Sequence, residues 1–282
     1  MSAIAPDTTV GAVHLTVADL DRSLRWYAHA LGLEPTHDRN GGSVAALGAG
    51  GDDLLVLHEE PGALPVTHHT GLYHYALLVP TRSDLARWLA HVAQDRIPLT
   101  GLSDHIVSEA IYLRDPDGHG IEIYRDRPRD EWIRDGDEVR MSTDPIDVED
   151  LLGAAEGAPT GVPEGTRMGH VHLHVADIPA AATFYRDTLG FDETAHLGDQ
   201  ASFFSAGGYH HHVGVNTWAG VGATPPPPGS AALRHATVVL PDAVQRDRVV
   251  DRAADAGAEP VEVEEGVLVR DPSQNGLVLT TA

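Results

Sequence analysis

Two histidines and a glutamate occupy matching places in repeated strand segments: His14 in Gly11 to Val17, His74 in Leu72 to Val79, and Glu122 in Ile121 to Tyr124. One at a time, each has an ordinary explanation, since a strand histidine usually just hydrogen-bonds and a mid-strand glutamate usually faces water. Together they make two neutral imidazoles and one carboxylate. That set grips one face of a divalent ion and leaves the other open for a substrate and O2, as in non-haem iron sites. In the last strand Ile121 and Ile123 point one way and Glu122 and Tyr124 the other, so the carboxylate is either solvated or aimed into a cavity.

The elements that must position these groups come in copies. Gly11 to Leu33 aligns with Gly169 to Phe191, with ten of 23 positions identical, among them His14 with His172, Asp19 with Asp177 and Tyr27 with Tyr185. Gly71 to Pro80 aligns with Ala231 to Pro241, placing His74 opposite His235, and Arg114 to Ile123 aligns with Arg270 to Leu279. A near-constant offset means a duplicated domain. Within each copy the order strand, helix, three strands occurs twice. Asp19 is an N-cap for an amphipathic helix carrying Leu24, Tyr27 and Leu31, and Gly32 is its C-cap. A second helix is expected over Arg82 to Ala93. Asp115-Pro116-Asp117-Gly118 is a turn by its chemistry. The fold class is α+β: four βαβββ modules in two tandem domains, each an open, strongly curved mixed sheet with helices outside. The domains are expected at 1–126, carrying the site, and 166–282, with an acidic linker over 127–165 containing one short helix over Asp147 to Ala155. Pro225 to Pro228 reads as a stiff surface spacer.

Composition narrows the partners. The formal charge is −23, and every basic residue is arginine. Such a surface repels nucleic acid and anionic membranes, which leaves a small molecule as the expected partner. No apolar run reaches membrane-spanning length and the N-terminus has no secretion-signal pattern. There is no cysteine, which excludes disulfides and thiolate sites and agrees with a cytoplasmic protein. An open sheet edge in each domain predicts a homo-oligomer.

The stretch from His105 to Glu122 carries a resemblance. His105 is followed after five residues by Ile111-Tyr112, then by Leu113-Arg114, Asp115-Pro116-Asp117-Gly118, three residues and Glu122. With the histidine repeats, this resembles the vicinal oxygen chelate superfamily, and within it the extradiol, catechol 2,3-type dioxygenases. Ser103 departs from the residues usual at its position. The resemblance implies an oxidoreductase that inserts O2 beside the hydroxyls of a catechol to give a muconic semialdehyde. It implies Fe(II), with Mn(II) accepting the same ligands, held by His14, His74 and Glu122. His105 and Tyr112 would serve as hydrogen-bond partners of the bound diol. The family's acid–base histidine falls nearest His58, with Asp53 competing for the position. In the second copy Val278 stands for Glu122 and Leu268 for Tyr112. That copy is either a relic that buttresses the first or holds an alternative all-histidine site of His172, His212 and His235. A glyoxalase-like isomerase or lyase and a non-catalytic binding protein are the other readings of the same scaffold.

Overall fold

A computed structural model describes residues 3–37, 42–136 and 138–282. Module one comprises β1 (Thr9–Val17), α1 (Leu20–Ala30), β2 (Val44–Gly48) and β3 (Asp53–Glu59). Module two comprises β4 (Gly71–Leu78), α2 (Arg82–Gln94), β5 (Leu99–Asp104), β6 (Ser108–Arg114) and β7 (Gly120–Asp126). A connecting segment follows, with the short helix α3 (Val148–Gly153) inside the expected range. Module three comprises β8 (Arg167–His174), α4 (Ile178–Ala182), a π-helical turn (Thr183–Thr188), β9 (Asp192–Leu197), β10 (Ala201–Ser205) and β11 (Val213–Asn216). Module four comprises β12 (Leu233–Leu240), α5 (Ala243–Asp255), β13 (Val261–Val263), β14 (Gly266–Arg270) and β15 (Gly276–Thr281). The α+β class and the doubled repeat are as the sequence indicates.

Local chemistry sets the helix starts. The Asp19 carboxylate accepts from the Arg22 N–H and caps α1, while Thr81 and Asp84 form a reciprocal capping box on α2. The hydrophobic stripes of the helices then face the sheets. Trp88 of α2 is fully buried and its indole N–H donates to the Ala30 carbonyl, which locks α2 onto the end of α1.

The sheets do not follow the tandem halves. One runs β13-β14-β15-β12-β1-β3-β2, ending on a two-residue strand at Glu34–Pro35, and so joins module four to module one. The other runs from a two-residue strand at Asp144–Pro145 through β5-β6-β7-β4-β8-β11-β10-β9, and so joins module two to module three. Its seam is the antiparallel pair β4·β8, with His74 opposite His172. The matching seam in the first sheet is β1·β12, with His14 opposite His235.

Consecutive modules are tied differently. The Tyr27 hydroxyl on α1 donates to Asp115 Oδ2 at 2.8 Å, while Asp115 Oδ1 accepts the N–H groups of Asp117 and His119. The copy repeats this: Tyr185 donates to Asp271 Oδ2 at 3.1 Å, and Oδ1 takes Ser273 and Asn275. Gly118 sits at φ 88° in the first turn, where glycine costs nothing, and Gln274 takes φ 68° in the second. Sheets join modules one to four and two to three; buried tyrosine–aspartate pairs join one to two and three to four.

Candidate metal centre

The exchange of modules decides which residues meet. β7 lies parallel to β4, with Ala76 opposite Glu122, and β8 lies on the other side of β4. His74 (β4), Glu122 (β7) and His170 (β8) are all buried, and one ligand atom from each falls within 4.8 Å of the others. His170 Nε2 is 3.3 Å from Glu122 Oε2. His74 Nε2 lies 3.0 Å from the same oxygen, but is not aligned for a hydrogen bond with it. His172, two residues on and on the same face of β8, has a buried Nε2 with no partner. Orphaned imidazole nitrogens around a buried carboxylate are what a divalent cation would satisfy, and the donor set fits one.

The electrostatics agree. Burial alone would raise the Glu122 carboxyl, yet the imidazoles of His170 and His74 outweigh it and hold the group well below the ordinary carboxylate range. Burial pushes His170 down to about 4 and His172 well below its usual value. His170 and His172 are therefore neutral, as metal ligands must be.

His105 and Tyr112 flank this centre. Tyr112 is opposite Glu122 across β6·β7. His105 Nδ1 donates to the Ser142 carbonyl at 2.6 Å, which leaves Nε2 to accept the Tyr112 hydroxyl at 2.6 Å. Burial and then the Glu122 charge raise the Tyr112 phenol well above its usual value, so it stays a donor. On the far side a histidine run adds a second chain. His210 Nε2 donates to Asp126 Oδ1 at 2.9 Å, so His210 Nδ1 is the acceptor toward His211 Nδ1 at 2.8 Å. His211 is thus protonated on Nδ1, and its Nε2 carries the free lone pair. Its ring lies 4.0 Å from that of His170.

His74, Glu122, His170, His105, Tyr112 and His211 line one cavity of about 880 Å³. Phe203, Trp218 and Leu197 of module three supply an apolar wall, and the connecting residues Glu138 to Thr143 supply a mostly polar one. The size and the mixture of apolar wall and few polar groups suit a small aromatic molecule.

The geometry departs from three expectations. His14 does not join His74 and Glu122: it lies in the other sheet, opposite His235, with Glu265 nearby. His58 goes with it, its Nε2 3.2 Å from His14 Nδ1. Burial, then His235, His58 and Arg234, hold His14 down to about 3; burial, Arg234 and His235 hold His58 at about 4. The trio His172, His212 and His235 is also divided, since His172 faces the cavity while His235 is in the first sheet. The physical reason is the same in each case. Modules one and two, and likewise three and four, are neighbours in sequence but contribute to different sheets. The run His210 to His212 was visible as a cluster, and His170 as the first of three alternate histidines; what the pattern lacked was the strand pairing that brings them to His74.

Comparison with known proteins agrees with the architecture. The profile of the Glyoxalase/Bleomycin resistance protein/Dioxygenase superfamily matches residues 9–123 and 167–277. A catechol-2,3-dioxygenase of Bacillus subtilis (strain 168) is 44% identical over 279 residues, 96% of each chain. Among solved structures, one from Bacillus subtilis subsp. subtilis strain 168 superposes with a TM-score of 0.68 at 14% identity, covering 99% of this chain and 86% of that one. Glyoxalase I from Zea mays gives 0.60 at 15% identity, covering 98% and 92%.

Proposed function

We propose, from the premise that this chain belongs to the Glyoxalase/Bleomycin resistance protein/Dioxygenase superfamily, that it is an extradiol dioxygenase acting on a catechol. The observation that carries this reading is the buried two-histidine, one-carboxylate set facing an 880 Å³ cavity, in a chain 44% identical to a catechol-2,3-dioxygenase. His74, Glu122 and His170 would hold Fe(II), which supplies an electron-rich centre able to bind a diol and O2 side by side.

The remaining steps fall to the chain itself. The apolar wall of Phe203, Trp218 and Leu197 takes the ring and keeps water off it. A catechol binding through both oxygens must lose protons. The Tyr112 hydroxyl, already donating to His105 Nε2, is placed to pass one to that nitrogen. The Ser142 carbonyl on Nδ1 then stabilises the charged ring. On the other side His211 Nε2, the unprotonated nitrogen of a ring fixed through His210 and Asp126, can take a proton and return it during ring opening. This gives His211, rather than His58, the acid–base role. The product would be a muconic semialdehyde.

The test is direct. Protein loaded anaerobically with Fe(II) should turn colourless catechol yellow on admission of air, with O2 consumed mole for mole. Glu122→Ala and His170→Ala should each lose both the bound iron and the colour. Absence of O2 uptake with every catechol tried, in protein shown to hold iron, would sink the assignment.

A further inference from the structure

The first sheet holds a second cluster, built from residues of modules one and four. His14 of β1 and His235 of β12 face each other across the sheet seam, their rings stacked with centroids 4.0 Å apart. Both turn Nε2 toward one oxygen of Glu265. His235 Nε2 is 3.0 Å from Oε2 and His14 Nε2 is 3.5 Å from it. The three donor atoms all lie within 4.8 Å of one another. An ion about 2.1 Å from each ligand atom spaces its neighbouring donors by roughly 3 to 4 Å, and both nitrogen–oxygen separations fall in that range.

Without a metal, each imidazole can donate its own Nε2–H to that oxygen; a cation would take the place of those two protons and bind all three groups through the same atoms. His58 completes the picture. Its Nε2 lies 3.2 Å from His14 Nδ1, the outer hydrogen bond that fixes tautomer and ring orientation in a metal-ligating histidine. The carboxylate does not come from the strand position that supplies Glu122, because that position is Val278 in module four. It comes from the β13–β14 turn, where the Glu265 side chain is 48% exposed.

We propose that His14, His235 and Glu265 form a second site for a divalent transition-metal ion of Zn(II) character, distinct from the centre in the cavity. Two nitrogens and one oxygen suit such an ion, with water completing the coordination on the exposed side. Its ligands come from the first and last modules, so the ion fastens the two ends of the chain across one sheet seam. The role is structural, and turnover does not pass through it.

Tag-free, full-length protein stripped with chelator is dialysed against Zn(II), or in parallel against Co(II), and its metal content per chain is measured. Wild type should hold one equivalent more than Glu265→Gln and one more than His235→Ala, and Glu122→Ala should retain that equivalent. With Co(II), the wild type minus Glu265→Gln difference spectrum should show visible ligand-field bands. Zn(II) should raise the melting temperature of Glu122→Ala and leave that of the Glu122→Ala/Glu265→Gln double variant unchanged. Glu265 lies on an exposed turn, so its replacement leaves the fold intact. Equal metal content in wild type and Glu265→Gln overturns the proposal, whether or not the cavity centre binds iron.

Discussion

His58 and His211 compete for one role, and the difference between them is one of neighbours. His58 lies against His14 in the first sheet. His211 lies against His170 and lines the cavity, with its tautomer set by a chain ending on Asp126. Removing a general acid–base group costs on the order of 100-fold or more. His211→Asn should therefore lower kcat for catechol by about 100-fold with iron retained, and His58→Asn should leave kcat within about twofold. Steady-state rates beside metal analysis check both, and the reverse order would return the role to His58. At this scale much was legible. His74, Glu122, His105 and Tyr112 all line the one cavity, because their spacing lies within a single module and its strand order follows from local signals. His14 was misplaced because similar local sequence in β1 and β8 says nothing about which strand each will lie beside.

The element that matters most is the parallel pair β4·β7, which carries His74 on one strand and Glu122 on the other. These strands close on each other at Gly120. A Cβ built there would fall 1.9 Å from the Tyr73 carbonyl oxygen, and 3.2 Å from the His74 Cβ. No rotamer relieves a clash with backbone, so Gly120→Ala must push β7 away from β4. It should lose iron and lower the melting temperature by about 5 °C or more, the shift expected for one to two kcal/mol in a chain this size. Thermal unfolding followed beside metal content tests this, and unchanged values for both would show that the strands can separate freely. The turn that precedes Gly120 was readable from Asp115, Pro116 and Gly118. The role of Asp115 as the acceptor for Tyr27 was not, because that contact spans 88 residues.

Across the whole molecule, each sheet is shared between the two sequence repeats. A half-chain of residues 1–126 contains His74 and Glu122 but leaves the β4 edge without β8 and the centre without His170. Produced alone, it should hold no iron and expose two unpaired strand edges, which favours aggregation. Co-production with residues 127–282 should restore one iron per pair. Size-exclusion chromatography with metal analysis distinguishes this from a first half that folds and binds by itself. The doubling of the chain was plain from its repeats; the cross-pairing was not, since strand periodicity is the same whichever partner a strand finds. The segment between the repeats adds a constraint of its own. It joins the halves, lends a strand to the edge of β5, walls the cavity through Glu138 to Thr143, and holds the His105 ring through Ser142. A hinge that doubles as furniture of the reaction chamber has little freedom to drift in length. Grafting the second half of a related protein onto the first half of this one would have to carry that seam along, or the chamber would be left without one of its walls.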